Sequence, residues 1–146
     1  MSRPLAYVDT SALIKRFVDE LRSADLEAFL MRESHRCVLS SLSITEFKTV
    51  MHRKLRSGDI SPAAHQHANQ VVALELAQGT WQYQMIGESL FTYTGELVQQ
   101  IETSLGALDA LHLACAKTAR CDLMVSGDKQ LLRASAELGL QILDLS

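Results

Sequence analysis

A chain of 146 residues is about the size of one ordinary domain and can bury a single sizeable core. With 47% apolar residues and only two prolines, disorder is excluded as a global description. A net charge of −3 argues against a protein that binds polyanions by bulk charge.

Leu5-Ala6-Tyr7-Val8 is a short apolar run that ends at Asp9, which suits a buried strand. A helix is expected from about Ser11, carrying Leu13, Ile14 and Phe17, and a second from about Ser23, with Leu26, Phe29 and Leu30 at helical spacing. Cys37-Val38-Leu39 reads as another strand. A long helix is expected from about Ser43, closed by Ser57-Gly58-Asp59. Ser61-Pro62 has the form of an N-cap followed by proline at the first helical position, and Gly79 ends that helix after about Gln78. Trp81 to Ile86 alternates as a strand does, and two helices fit about Gly87 to Thr103 and Ala107 to Arg120. Leu123-Met124-Val125 is a further buried strand, followed by a helix from Lys129 to Leu138 and a last strand from Gln141 to Leu145.

No repeat or linker interrupts this pattern, so residues 1–146 are read as one domain. Strands separated by helices imply a parallel sheet with helices on both faces, and ligands then sit beyond the carboxyl ends of the strands. No apolar run is long enough for a membrane span, and the N-terminus shows no signal-peptide pattern. Cys37, Cys115 and Cys121 are odd in number and lack metal-type spacing, which points to reduced thiols in a cytoplasmic protein.

Four acidic residues stand out against this frame. Asp9 and Asp128 each follow a buried strand and precede a helix, so both should reach the same edge of the sheet. A helix cap is the competing reading for each, because Asp before a helix satisfies free N–H groups. Glu46 has a stronger competitor, since Ser43-Ile44-Thr45-Glu46 has the form of a capping box. Asp109 resists such an account best. The segment Ala107 to Ala116 is apolar almost all round and is expected to be buried, and a buried carboxylate without a partner is costly.

Carboxylates converging on one edge repel one another unless a divalent cation neutralises them, and hard oxygen ligands favour Mg²⁺ or Mn²⁺. Water bound to such an ion can be the nucleophile of an in-line displacement at phosphorus. Thr10, Ser11 and Ser126 are placed to orient the carboxylates or water. His112, one helical turn from Asp109, is either a partner of the acidic group or a core histidine beside it. Lys15, Arg16, Lys48 and Lys129 lie near the acids in sequence and are candidate phosphate contacts. Trp81, Tyr83, Phe91 and Tyr93 fit either a base-stacking platform or ordinary packing.

The stretches Tyr7-Val8-Asp9-Thr10-Ser11-Ala12-Leu13, Ser43-Ile44-Thr45-Glu46-Phe47, Leu108-Asp109-Ala110-Leu111-His112-Leu113-Ala114 and Val125-Ser126-Gly127-Asp128-Lys129-Gln130-Leu131 resemble, in this order, the motifs of PIN-domain nucleases. Within that family the likeness is to VapC-type toxins of toxin–antitoxin pairs. The resemblance implies a three-layer α/β/α sandwich around a central parallel sheet. It also implies an Mg²⁺- or Mn²⁺-dependent endoribonuclease with Asp9, Glu46, Asp109 and Asp128 as catalytic and metal-holding residues. A homodimer and a small cognate antitoxin follow from it too, while the RNA target does not. Residues 79–95 match no motif of the family.

Two other enzyme classes fit less well. An aspartyl phosphatase needs a second acid two residues after the first, where this chain has Ser11. A phospho-receiver needs its Asp after a mid-chain strand, whereas Asp59 follows a helix end and Gly58. A PIN-like module that binds RNA or protein without catalysis, or a housekeeping RNA-processing nuclease, remains an alternative to a toxin.

Overall fold

The computed structural model describes residues 3–146. Its sheet contains β1 (Leu5–Val8), β2 (Arg36–Ser40), β3 (Trp81–Gln84), β4 (Leu123–Ser126) and β5 (Gln141–Asp144), in the spatial order β3-β2-β1-β4-β5. Every neighbouring pair is parallel, with Ala6 opposite Cys37 on one side of β1 and opposite Leu123 on the other. The helices among the described residues are α1 (Thr10–Lys15), α2 (Ser23–Arg32), α3 (Ser41–Ser57), α4 (Pro62–Ala77), α5 (Glu88–Leu97), α6 (Ala107–Thr118) and α7 (Lys129–Glu137).

The layering follows from the two-residue period of the strands. Ala6 and Val8 of β1, Leu39 of β2, and Leu123 and Val125 of β4 face one core, which they share with Leu13 of α1, Leu26 and Phe29 of α2, Phe47 and Met51 of α3, and Val72 of α4. Tyr7, Val38 and Met124, the alternate residues of the same strands, face a second core with Leu90 and Leu97 of α5, Leu113 of α6 and Leu131 of α7. Both faces of the sheet are thereby covered, as a parallel sheet requires. The result is the three-layer α/β/α sandwich.

The strand order reverses at β1, since the chain runs outward through β2 and β3 on one side and through β4 and β5 on the other. Such a switch point opens a crevice at the carboxyl ends of the two central strands. Asp9 follows β1 there, and Asp128 lies two residues beyond the end of β4.

Four expectations are corrected. The long helix begins at Ser41, with Ser40 as its N-cap and Ser43 as the reciprocal partner, so the capping box is Ser40–Ser43 and does not include Glu46. The helix expected from Gly87 to Thr103 ends at Leu97, and a single 3₁₀ turn, Val98–Gln100, follows it. The reason lies in a contact from another element: the Glu137 carboxylate of α7 accepts the N–H groups of Glu102 and Thr103, holding that segment out of a helix. Asp109, expected to be buried, is half-buried, because it lies in the first turn of α6, where Ala107 and Leu108 are exposed and full burial begins at Ala110. The strand expected to reach Ile86 stops at Gln84.

Candidate active site

Asp9 occupies the turn between β1 and α1, with backbone angles that end the strand and cap the helix. It is 4% exposed, and three donors hold its carboxylate. Oδ1 accepts from Ser11 Oγ at 2.7 Å and from the Ala12 N–H at 3.0 Å, and Oδ2 accepts from Ser126 Oγ at 2.6 Å. A carboxylate has about four acceptor positions, so one stays open after these bonds. Burial nevertheless pushes the Asp9 carboxyl above its usual range, against the opposing effects of His112 and of those hydrogen bonds.

Asp128 caps α7 in the same way, accepting from the N–H groups of Gln130 and Leu131 through Oδ1. Its own N–H donates to Ser126 Oγ at 2.9 Å, and Gly127 N–H donates to Ser11 Oγ at 2.9 Å. The two strand-end turns are therefore tied together through Ser11 and Ser126. For both aspartates the cap and the site are one arrangement, because capping uses only part of the carboxylate.

Asp109 rises from the first turn of α6. Burial and the adjacent Asp128 carboxyl push it up to about 6, with Asp9 adding in the same direction and His112 opposing. Glu46 shows the contrary behaviour. Burial would raise it, but hydrogen bonds from His112 and Thr10 prevail and hold it below its usual range. Those bonds are both 2.6 Å, from His112 Nε2 and from Thr10 Oγ1, and both end on Glu46 Oε1.

Asp9, Glu46, Asp109 and Asp128 line one open cavity of about 430 Å³ together with Thr10, Ser11, Thr49, Arg53 and His112. Glu46, Thr49, Val50 and Arg53 reach it at successive helical spacings along one face of α3. Among the described residues no Lys or Arg forms an ion pair with Asp9, Asp109 or Asp128. Nor do any three His, Cys, Asp or Glu side chains already stand together as a closed ion cage. An Mg²⁺ ion takes one or two carboxylates and keeps several waters, so an open, oxygen-lined and negatively charged cavity fits it without such a cage. A groove of about 910 Å³ near α1, α2 and α4 is larger but contains none of these four acids.

The basic residues fall differently from their positions in sequence. Arg16 forms a two-pronged ion pair with Glu75 of α4, its Nη2 lying 2.6 Å from Oε2, and Lys15 Nζ donates to the Leu21 carbonyl. Lys48 and Lys129 are exposed and do not line the cavity. Arg53 does line it, seven residues beyond Glu46 on the same face of α3, a spacing that sets it apart from Lys48, Lys54 and Arg56. Trp81 is buried, its indole N–H donating to Glu75, while Tyr83 and Phe91 are exposed away from the acids. His112 is 2% exposed and is both a core residue and a partner of Glu46.

The sequence model of the PIN domain matches residues 6–137. Among curated proteins, none matches the chain significantly. Solved structures of similar shape include VapC20 of Mycobacterium tuberculosis, a toxin that cleaves the sarcin–ricin loop. It is 17% identical, with a TM-score of 0.64 over 84% of this chain and 91% of that one. A toxin–antitoxin complex from Klebsiella pneumoniae is similar at 19% identity and a TM-score of 0.65, covering 97% of this chain and 98% of its own. VapBC2 of Rickettsia felis, bound to a DNA fragment from its promoter, is similar at 13% identity and a TM-score of 0.64, covering 97% and 99%.

Proposed function

Because the chain belongs to the PIN-domain family, we propose that it is a metal-dependent endoribonuclease that acts as the toxin of a toxin–antitoxin pair. The observation that carries this reading is the convergence of Asp9, Glu46, Asp109 and Asp128 on one cavity at the switch point of the sheet. Three of those carboxyls have no cationic partner among the described residues.

In this reading Asp9, Asp109, Asp128 and Glu46 hold Mg²⁺ or Mn²⁺. When bound, the ion supplies an activated water and neutralises charge on the scissile phosphate. Ser11 and Ser126 fix both oxygens of Asp9, so that this buried carboxylate keeps one orientation as substrate enters. Asp109, whose carboxyl is raised by burial and by the Asp128 carboxyl beside it, is placed where a bound cation would offset the crowding of negative charge. Thr10 and His112 hold Glu46 from behind. Arg53, on the cavity wall and without an acidic partner among the described residues, meets a phosphate of the RNA strand.

The choice of RNA and of a toxin role is supported by the similar VapC20, a toxin that cleaves the sarcin–ricin loop, and by the similar toxin–antitoxin complexes. The same reading includes a small antitoxin that masks the acidic edge, a homodimer, and action in the cytoplasm. Purified protein supplied with Mg²⁺ or Mn²⁺ is expected to cut a structured RNA internally and leave 5′-phosphates, with cutting abolished by a chelator. Expression without its partner is expected to arrest growth, and a small co-encoded protein to relieve the arrest. Cutting that persists in chelator contradicts the metal site; absence of arrest contradicts the toxin role.

A further inference from the structure

A continuous polar chain runs through the otherwise apolar core behind the acidic cavity. Tyr7 of β1 is fully buried, and its Oη lies 2.8 Å from Ser40 Oγ, 3.3 Å from Ser43 Oγ and 2.7 Å from His112 Nδ1. The opposite nitrogen of His112, Nε2, lies 2.6 Å from Glu46 Oε1. Thr10 Oγ1 reaches the same oxygen. A carboxylate oxygen only accepts, so His112 Nε2 carries a proton and donates it, as does the Thr10 hydroxyl. The two donors fill the acceptor positions of Oε1. Among the described residues nothing donates to Oε2, on a side chain that lines the cavity.

Packing alone does not account for this chain. The Tyr7 hydroxyl already has Ser40 and Ser43 as partners, and an apolar residue at position 112 would spare the desolvation of an imidazole. What the imidazole adds is a fixed span from β1 to Glu46. Its Nδ1 is anchored on the central strand and its ring stacks edge-on to Tyr7, with centroids 5.6 Å apart.

We propose that Tyr7 and His112 are positioning residues for Glu46: anchored on β1, they fix Oε1 and leave Oε2 as the single oxygen that Glu46 presents to a divalent cation. This rests on the metal-dependent reading given above. Second-sphere partners of metal-binding carboxylates commonly carry a tenfold or larger share of affinity.

The test is Mn²⁺ binding, measured by calorimetric titration, alongside kcat and KM for RNA cleavage and a thermal melt of each variant. The expected result is Mn²⁺ affinity about tenfold weaker in Tyr7→Phe and His112→Ala, with kcat lowered and KM for RNA nearly unchanged. His112→Gln, whose amide N–H replaces the Nε2–H but which gives up the Nδ1 anchor on Tyr7, is expected to fall between the parent and His112→Ala. Where His112→Ala fails to fold, Tyr7→Phe and His112→Gln decide. Parent-like Mn²⁺ affinity in Tyr7→Phe overturns the proposal, as does equal loss in His112→Gln and His112→Ala, which a purely packing role produces. If Glu46→Gln weakens binding in those same experiments, the metal site stands without this chain. If the parent itself binds no Mn²⁺, the nuclease reading fails first and this inference with it.

Discussion

Asp109 sits where its charge is costly. Burial and the neighbouring Asp128 raise it from an ordinary 3.8 to about 6, so the folded chain binds this proton more tightly than the unfolded chain does. A raised carboxyl stabilises the fold at low pH, and that contribution is lost as pH rises through about 6. Without metal at pH 7.5, Asp109→Asn is therefore expected to be more stable than the parent by about 1 kcal/mol, a figure already reduced for screening at a half-exposed site. Thermal melts in chelator should show that advantage shrinking toward pH 5, and a less stable Asn variant at pH 7.5 contradicts the crowding of carboxylates. Sequence reasoning chose Asp109 as the acid hardest to explain without a cation, because its helix is apolar all round. The deeply buried acid is Asp9, and Asp109 stands half-exposed at the cavity rim. Helical periodicity reports which residues are apolar; it does not report that the first turn of α6 is left open to solvent.

At the scale of elements, α3 carries two duties that its sequence superimposes. Ser40 caps it, exchanging hydrogen bonds with Ser43, and the same hydroxyl meets Tyr7. Ser61 caps α4 by the same chemistry, accepting from the Ala64 N–H, but lies outside the acidic cavity. Ser40→Ala and Ser61→Ala are each expected to cost roughly 1 kcal/mol. Only Ser40→Ala should also slow RNA cleavage, and denaturant melts with parallel rate assays separate the two effects. Equal activity in both variants would mean that the Tyr7 end of the polar chain is irrelevant to the site. The Ser61-Pro62 start was legible because serine and proline there have no close competitor. The start of α3 was not, since Ser40, Ser41 and Ser43 are all possible caps. Choosing among them depends on where β2 ends, and that is fixed by its pairing with β1 and β3. Glu46 was released from the capping box by that shift of the helix start and became free to meet Thr10 and His112.

Over the whole molecule, alternation of strands and helices was enough to foresee a parallel sheet with two helical layers, and the strand-end positions of Asp9 and Asp128 followed from it. Strand order was not foreseen in detail, because it depends on which faces pack together. Tertiary pairing also decided the bases: Glu75 of α4 takes Arg16, leaving Arg53 as the cation on the cavity wall. Arg53→Ala is expected to raise KM for RNA several-fold and flatten its salt dependence, with kcat close to the parent, consistent with the loss of one phosphate contact. An unchanged KM places the RNA backbone elsewhere. The central claim, that the strand-end carboxylates form the hydrolytic metal site, is tested most directly at Asp9. RNA cleavage by Asp9→Asn should be compared with the parent in Mg²⁺ or Mn²⁺, after melts show that both are folded. Loss of cleavage by at least a hundredfold is the expected result for removing a buried, triply held carboxylate from the site. A folded Asp9→Asn variant that cuts RNA as fast as the parent contradicts the account.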